Sequence, residues 1–398
     1  MKILSIGSDK KLFDENSEVR QRVIEYAKFA DELHVVILNQ KSKISPRSRE
    51  ARQENQNLGN VFLYPTNSRT RWFYVLDAYK IGEQIIKKFK NSTSAGDSGY
   101  MLISTQDPFE CGLAGYFLAR RNKIPLQFQI HADFLSSYFW KEAFLNKIRV
   151  LLAKFLIPRA NCIRVVSQRI KKSIVSSLDF QVSMIKVLPI FVDVKKIQEA
   201  PVKIDLRKKY PQFNFIILMA SRIAKEKNIP LAINAFMEIV KKYPKTGLII
   251  VGEGPRREAL KLQIANRNLQ KNVILESWID DLASYYKTAD LFLLTSNYEG
   301  YGMAIVEAMA SGCPVVMTDV GLAGEVLIDK KDGIVIPIED KEKLIEAILS
   351  LIKNPDLRND LVKNAQKTLS FWPTKREYLN DYRDSWESCR RNERKQNS

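Results

Sequence analysis

Long apolar runs, histidines and paired cysteines are scarce in this sequence of 398 residues. Its 4 cysteines are far apart and include no C-x-x-C pair, which argues against a disulfide framework or a zinc site and suits a reducing cytoplasm. The 2 histidines exclude a histidine-rich metal centre, so no metal site is expected. The apolar run after Met1 is too short for a signal peptide, and no stretch approaches the ~20 apolar residues of a membrane-spanning helix. We therefore expect a soluble, cytoplasmic protein.

Acidic residues are also in deficit, since the formal net charge is +18. The excess of positive charge lies mainly in the half of the chain before Lys195. Such a field attracts nucleic acid, anionic lipid or an anionic substrate, and solubility alone is the remaining explanation. The basic residues are spread over many helices and form no recognisable binding module, so a nucleic-acid partner is not expected.

Short apolar runs alternate with longer amphipathic runs along the chain. This alternation predicts strand–helix units and mostly parallel sheets, which is the pattern of an α/β fold. The segment from Phe191 to Pro211 is charged and irregular, and is interpreted as an interdomain connection. We predict an N-terminal domain over 1–195, a C-terminal domain over 196–372, and a helix with a polar tail over 373–398. In two facing sheets of this kind, the carboxyl ends of the strands surround one cleft, where ligands bind.

The most informative motif is a buried strand followed by a glycine-bearing turn and a helix that starts near Met303. Gly300 and Gly302 let the backbone approach a ligand closely, and the start of the helix offers free N–H groups and a positive dipole end. These features predict a site for a pyrophosphate. Glu299 lies beside this site, and Glu307 lies one turn into the helix, where it suits ribose hydroxyls. The alternative is an ordinary strand–turn–helix with two surface glutamates.

A second cluster of charged residues follows the predicted strand Phe215–Met219. Arg222 and Lys227 flank a short loop at the carboxyl end of that strand, where two cations can neutralise a diphosphate leaving group. The alternative, a solvated lysine at the start of a helix, fits Lys225 better. A third turn, Gly252–Arg256, again follows a strand and brings backbone near the cleft.

In this order, the segments resemble the C-terminal half of the family-4 retaining glycosyltransferases, the glycosyl transferases group 1 of GT-B fold. That family has a G-R-x-x-x-E-K loop, a G-x-G-P-x-R turn and an E-x7-E motif, which correspond here to 221–227, 252–257 and 299–307. Ser221 replaces the usual first glycine. The resemblance implies two Rossmann-like domains that face each other across a cleft. It leaves open whether the C-terminal helix returns to the N-terminal domain.

The resemblance also implies a role for each matching residue on the donor side. Arg222 and Lys227 would bind the donor diphosphate and Glu307 the ribose. Glu299 would hold hydroxyls of the transferred sugar as a catalytic residue. The backbone of the glycine turn would also contact phosphate or sugar, and the residues after another strand would border the base. The residues concerned are Gly302, Met303 and Ala304 for the phosphate, and Trp278 and Ile279 for the base.

The N-terminal half resembles the family more loosely. His131 ends a predicted strand, as the family's histidine does, and would be a second catalytic residue that faces the donor sugar. A capping or buried structural histidine is the alternative. Asp133 follows on the acceptor side. The family's glycine-rich first loop, which normally contacts the acceptor, is replaced here by Ser8 and Asp9 after Gly7.

The function implied by the resemblance is retaining, metal-independent transfer of a hexose. The donor would be a UDP- or GDP-hexose, which is a substrate rather than a cofactor, and the acceptor a glycan or a lipid-linked molecule of cell-surface polysaccharide or glycoconjugate synthesis. The sequence has no Asp-x-Asp pair of the kind that holds a divalent ion in many other glycosyltransferases. The alternative is a non-catalytic or epimerase-type nucleotide-sugar-binding protein of the same fold.

Aromatic, aliphatic and basic residues are interleaved over Phe134–Arg159. This pattern is typical of a helix that lies in an anionic membrane surface. A core helix that packs on its own sheet explains the same pattern, and the sequence leaves both interpretations open. The first one predicts a cytoplasmic protein that is peripheral on the cytoplasmic face of the membrane.

Overall fold

The chain folds into two parallel sheets flanked by helices. The computed structural model describes residues 1–40, 54–92, 100–178 and 182–396. Among these residues, no helix combines the length and the apolar character needed to span a bilayer. The strands of each sheet are rich in aliphatic residues, because helices cover both faces of the sheet and keep water away from the strands.

The N-terminal sheet has eight strands in the order β3-β4-β2-β1-β5-β6-β7-β8. All neighbouring strands are parallel except the first pair in this order, which is antiparallel. The strand β1 lies inside the sheet and is buried along most of its length, because neighbouring strands and helices cover it. The strands are β1 (Lys2–Gly7), β2 (Glu32–Ile37), β3 (Gln56–Leu58), β4 (Val61–Pro65), β5 (Met101–Thr105), β6 (Leu126–Ile130), β7 (Cys162–Val165) and β8 (Ile185–Val187).

Six helices accompany the described part of this sheet, and most of them connect one parallel strand to the next. A parallel pair needs a crossover connection, so the helices cover both faces of the sheet. They are α1 (Glu18–Ala27), α2 (Tyr74–Ser92), α3 (Glu110–Asn122), α4 (Ser137–Glu142), α5 (Phe144–Leu156) and α6 (Gln168–Leu178).

The connection between the sheets contains two short helices, α7 (Val194–Glu199) and α8 (Leu206–Lys209). The expectation of an irregular segment is wrong here. Asp193 accepts a hydrogen bond from the Lys196 N–H, and Asp205 accepts one from the Arg207 N–H. These aspartates cap the first turn of each helix, which lets short helices form in a charged segment.

The C-terminal sheet has six strands in the order β11-β10-β9-β12-β13-β14, and all its pairs are parallel. This order reverses direction between the third and fourth strands of the row, which opens a crevice at their carboxyl ends. The strands are β9 (Phe215–Ala220), β10 (Thr246–Val251), β11 (Val273–Glu276), β12 (Leu291–Leu294), β13 (Val315–Thr318) and β14 (Ile334–Ile336). The helices are α9 (Ile229–Lys242), α10 (Arg257–Asn266), α11 (Leu282–Thr288), α12 (Met303–Ala310), α13 (Lys341–Lys353) and α14 (Pro355–Leu369).

The last helix, α15 (Lys375–Gln396), returns to the N-terminal domain and packs against β6, β7 and α1. Its apolar face carries Tyr378, Tyr382 and Trp386, which are buried in the core of that domain. Tyr382 stacks on Tyr26 of α1, with 3.8 Å between the ring centroids. The architecture is therefore two Rossmann-like domains, as the GT-B resemblance implies, with a C-terminal helix that crosses back, which the resemblance left open.

The return of α15 also corrects the expectation drawn from the cysteines. Cys162 of β7 and Cys389 of α15 are 227 residues apart in sequence, yet they form a disulfide, with 5.1 Å between their Cα atoms. Sequence spacing did not reveal the pair because packing of the last helix brings the two residues together. Cys111 and Cys313 are free and buried.

Candidate active site

The two domains meet where the carboxyl end of β6 faces the glycine-bearing turn after β12. The Cα of Gly300 lies so close to the backbone carbonyl of His131 that a Cβ at this position would overlap the carbonyl oxygen. A glycine is therefore required for the domains to approach at this point. The contact places the sequence-predicted histidine directly beside the sequence-predicted glycine turn.

Polar contacts join the domains on one side of this meeting point. The Tyr298 hydroxyl donates a hydrogen bond to the Glu142 carboxylate, and the Lys225 ammonium donates to the Glu142 carbonyl at 3.1 Å. The ring of Tyr298 packs edge-on against Phe139, with 5.6 Å between the centroids. Sequence reasoning missed Tyr298 and Glu142, since a contact across two domains leaves no local pattern.

A second set of contacts lies at the start of α6. The Gln168 N–H donates to the Glu325 carboxylate at 2.8 Å, and the Arg169 guanidinium pairs with Asp319. Arg169 also donates to the carbonyls of Gly321 and Ala323, at 3.3 and 3.2 Å. Two groups of polar contacts therefore join the domains beside the cleft. The domains also approach closely where Gly300 contacts the His131 carbonyl.

The glycine-bearing turn leads into α12 as the sequence predicts. Gly302 adopts a positive φ of 96° and forms the N-cap of the helix that begins at Met303. The Ile305 N–H donates to the Gly302 carbonyl at 2.9 Å, so the helical ladder starts there. The N–H groups of Met303 and Ala304 belong to the first turn of the helix, which has no intrahelical acceptors, and they are available to an anion.

Lys227 and Glu299 come together beside this turn, although they are 72 residues apart in sequence. The Lys227 Nζ lies 2.5 Å from Glu299 Oε1, and both side chains are largely buried. The Ser296 hydroxyl donates to the same carboxylate oxygen at 2.7 Å. Sequence reasoning predicted the ammonium and the carboxylate separately and missed Ser296, which fixes the carboxylate.

The loop that carries Lys227 is tied to the turn that carries Glu299. The Thr295 hydroxyl donates to the carbonyl of Lys227 at 3.1 Å, and the Asn297 N–H donates to the carbonyl of Glu226 at 2.8 Å. Arg222 forms an ion pair with Glu226 on the same loop, while its side chain is 69% exposed. An exposed guanidinium that has one acidic partner keeps further N–H donors for a ligand.

Glu307 lies one turn into α12 and is half-buried. Burial raises the pKa of its carboxyl above the usual value, and a hydrogen bond from the Tyr286 hydroxyl at 3.2 Å opposes the rise. Tyr286, on α11, is fully buried and was not predicted from the sequence. A carboxyl held by one donor keeps free lone pairs that can accept hydrogen bonds from hydroxyl groups.

The two residues predicted to border the base follow β11. Trp278 is 54% exposed, and Ile279 packs partly against the core. Near them, the Glu276 carboxylate accepts hydrogen bonds from Lys209 at 2.8 Å and from Tyr285 at 2.6 Å. This half-buried carboxylate fixes the end of β11, and it was also missed by sequence reasoning.

His131 follows β6 on the N-terminal side of the cleft. Burial, together with the positive charges of Arg164 and Arg22, lowers the pKa of the imidazole from 6.5 to about 3. The ring is therefore neutral at neutral pH, so it can donate or accept a hydrogen bond but carries no charge. Asp133 lies two residues later, and burial raises the pKa of its carboxyl.

A cavity of about 1260 Å³ extends through the N-terminal domain from His131. Ser8 and Asp9 line this cavity, and the Asp9 carboxylate accepts a hydrogen bond from the Lys11 N–H at 3.0 Å. Asp133 is not among the lining residues. The first loop of the chain and the histidine thus share one space on the acceptor side predicted from the sequence.

Two family models match the chain, one to each domain. A model described as Glycosyltransferase Family 4 matches residues 22–196, and a model described as Glycosyl transferases group 1 matches residues 203–368.

Two relatives match part of the chain. The poly(glycerol-phosphate) alpha-glucosyltransferase of Bacillus subtilis (strain 168) is 35% identical over 158 residues, which are 39% of this chain and 24% of that enzyme. The alpha-monoglucosyldiacylglycerol synthase of Streptococcus pneumoniae is 32% identical over 268 residues, which are 64% of this chain and 60% of that enzyme. The matched region thus covers less than two thirds of either relative.

A solved structure matches nearly the whole chain. Anabaena HepE, crystallised in complex with UDP-glucose, superposes with a TM-score of 0.72 at 20% identity, over 98% of this chain and 100% of that chain. This similarity shows that the two chains share a fold.

Proposed function

The chain belongs to the family-4 glycosyltransferases of GT-B fold, and from that premise we propose that it transfers a hexose from a nucleotide-sugar donor with retention of configuration. The observation that carries the proposal is the Lys227–Glu299 ion pair beside the start of α12. An ammonium, a carboxylate and free N–H groups at one point suit a sugar diphosphate. The ammonium and the N–H groups bind the anionic phosphates, and the carboxylate accepts hydrogen bonds from the sugar hydroxyls.

The donor is proposed to be a UDP-hexose, with a GDP-hexose as the other candidate. The support for UDP is that HepE, which shares the fold, was crystallised with UDP-glucose. The diphosphate would lie on Arg222, Lys227 and the start of α12, and the ribose on Glu307. Lys227 would then exchange its contact with Glu299 for a phosphate oxygen, which frees the carboxylate for the sugar hydroxyls.

The proposed step is a front-face substitution at the anomeric carbon. The bond from this carbon to the diphosphate oxygen breaks, and its electron pair leaves with the diphosphate. The acceptor hydroxyl oxygen bonds to the same face of the carbon, and its proton passes to the departing diphosphate. Lys227 and Arg222 stabilise the charge that develops on the leaving group, and in this proposal they do so without a metal ion. Neutral His131 would orient the sugar by a hydrogen bond.

The acceptor is proposed to enter from the N-terminal cavity as a glycan or a lipid-linked molecule. One relative is, by its name, a synthase of a glucosyldiacylglycerol. The exposed apolar side of α5 supports a peripheral position on the cytoplasmic face of an anionic membrane. Phe144 is 77% exposed and Leu151 is 60% exposed, with Lys147 and Lys154 exposed beside them.

The experiment that tests the proposal is transfer of labelled sugar to a bacterial lipid extract in the presence of EDTA. UDP-glucose, UDP-galactose and GDP-mannose are compared as donors, and the anomeric configuration of the product is read by NMR. We expect an α-linked product from one donor. Lys227→Met should lower kcat about 10²- to 10³-fold, because it removes a cation from the leaving group.

The matched control is Lys261→Met, which removes an exposed lysine from α10. This variant should retain the activity of the unmodified protein. A β-linked product, or a loss of the same size in both lysine variants, would contradict the proposed mechanism.

A further inference from the structure

A buried arginine that pairs with no acidic group of the described residues lines the N-terminal cavity. Arg164 of β7 is 3% exposed and lines the cavity. Within the described part of the chain, its guanidinium donates only to neutral acceptors, namely the Gln129 side-chain oxygen at 2.8 Å, the Pro189 carbonyl at 3.0 Å and the Tyr378 hydroxyl at 3.1 Å. Its Nε–H is buried and has no hydrogen-bond partner among the residues that the structure describes. A buried charge without an opposite charge is costly, so this site suits an anion.

A second cation points to the same place. Arg22 of α1 also lines the cavity and is partly exposed. Arg22 and Arg164 both act electrostatically on His131, which places the two positive charges at the end of the cavity nearest the cleft. The local charge at that end is therefore positive, while the imidazole between them stays neutral.

The acidic groups that line the cavity are already engaged. Glu110 forms an ion pair with Arg149 at 2.7 Å. The Asp107 carboxylate accepts the N–H groups of Phe109 and Cys111, at 2.8 and 3.2 Å. Asp9 caps the turn that contains Lys10 and Lys11. Lys10 and Arg71 also line the cavity but are exposed to solvent, so Arg164 and Arg22 are its less exposed positive charges without an acidic partner among the described residues.

The other end of the cavity is apolar and reaches the surface. Trp72 and Phe144 both line the cavity and are 87% and 77% exposed, and Ile148 lines it and is 48% exposed. Large apolar side chains that border a cavity and also face solvent indicate the mouth of a binding site. The mouth lies between the start of α2 and α5, on the surface that carries the exposed apolar stripe.

We propose that this cavity binds an anionic amphiphile. Its anionic group lies on Arg164 and Arg22, and its hydrocarbon chain passes out between Trp72 and Phe144. This inference rests on the proposed function, since it makes the amphiphile the sugar acceptor. A hydroxyl group of the amphiphile, next to its anionic group, would then lie beside His131. A lipid whose head group carries a phosphate close to the accepting hydroxyl has this chemistry.

The test is isothermal titration of the full chain with hexyl, octyl, decyl and dodecyl phosphate below their micelle concentrations. Affinity should rise about two- to fourfold with each added methylene, since each buried methylene contributes about 0.8 kcal/mol at most. Neutral octyl glucoside should bind at least about tenfold more weakly than octyl phosphate, since it lacks the anion. Titration with inorganic phosphate, which has no hydrocarbon chain, measures binding at the anion site alone.

Three variants separate the two ends of the site. Trp72→Ser removes an exposed side chain. It should weaken the binding of dodecyl phosphate about tenfold and leave the binding of inorganic phosphate unchanged. Arg22→Gln should weaken both ligands, and it avoids Arg164, whose hydrogen bond to Tyr378 helps to hold α15. Leu262→Ser is the control, because Leu262 is 65% exposed on α10 of the other domain.

Affinity that is independent of chain length, or equal for octyl phosphate and octyl glucoside, overturns the inference. No effect of Arg22→Gln on either ligand overturns it as well. The donor side is measured separately by binding of UDP-glucose to the unmodified protein. Retained UDP-glucose binding with no alkyl phosphate binding rejects the cavity site alone, and the reverse result rejects the proposed donor.

Discussion

At the scale of single residues, burial sets the protonation of the groups that flank the cleft. Burial and two nearby arginines keep the His131 imidazole neutral, with a pKa of about 3. Burial also raises the pKa of Glu307, while the Tyr286 hydroxyl opposes the rise. Neither effect follows from the residue type, since an exposed histidine titrates near 6.5.

His131 predicts a pH dependence of stability. Its folded-state pKa is below the unfolded value, so below pH 6.5 the unfolded chain binds a proton that the folded protein does not. The free energy of unfolding should therefore fall as the pH drops from about 6.5 towards 3. His131→Asn should make this fall shallower by up to about 1.4 kcal/mol per pH unit, measured by urea unfolding between pH 6.5 and 4.5.

The comparison of the two pH slopes isolates this group, because the remaining titrating residues are shared. Equal slopes for the unmodified protein and His131→Asn would show that the imidazole does not stay neutral on folding. A steeper slope in the variant would have the wrong sign for a lowered pKa.

The site residues that belong to a recurring motif could be predicted from the sequence. The residues that form hydrogen bonds with them could not. Glu299 and Lys227 follow strands in a recognisable order, whereas their contact at 2.5 Å is visible only in the structure. Ser296 and Tyr286, which fix the two glutamates, belong to no motif. The Ser296 hydrogen bond is local to the turn, three residues from Glu299, whereas that of Tyr286 results from packing between α11 and α12, which the local sequence does not specify.

At the scale of elements, α5 has two apolar faces. Val150, Ala153 and Leu156 are buried against the domain. Phe144, Ile148, Leu151 and Phe155 recur every three or four residues on the opposite face and are exposed. The sequence left a core helix and a membrane helix as alternatives, because one helix with two apolar faces satisfies both patterns.

This exposed stripe predicts binding to anionic vesicles. We expect the protein to float with liposomes that contain anionic lipid and to float less with neutral ones or at high salt. The double variant Phe144→Ser, Leu151→Ser should reduce the bound fraction about tenfold or more, because it removes two apolar side chains from the interface.

The control for flotation is Leu262→Ser, which removes an exposed leucine from the C-terminal domain. This variant should float like the unmodified protein. Flotation that is unaffected by the double variant, or absent on anionic vesicles, would assign the stripe to a contact other than a membrane.

At the scale of the whole molecule, the two domains are joined by more than the connecting segment. The last helix, α15, buries Trp386 in the N-terminal domain, and the disulfide between Cys162 and Cys389 closes the same contact. The alternation of strands and helices was sufficient to predict two α/β domains. The position of α15 and the cysteine pair depends on contacts more than 200 residues apart, such as that between Gln127 and the Ser385 carbonyl, so it could not be predicted locally.

The central claim is that a nucleotide sugar binds between the domains, with its ribose on Glu307. The most direct test is calorimetric titration with UDP-, GDP- and ADP-hexoses in EDTA, on the unmodified protein, Glu307→Gln and the exposed control Glu258→Gln. We predict that one nucleotide series, that of UDP, binds to the unmodified protein and to Glu258→Gln. Glu307→Gln should weaken this binding about tenfold, through the loss of charged hydrogen bonds to the ribose. Absence of binding across all three series, or equal affinity in both glutamine variants, would contradict the account.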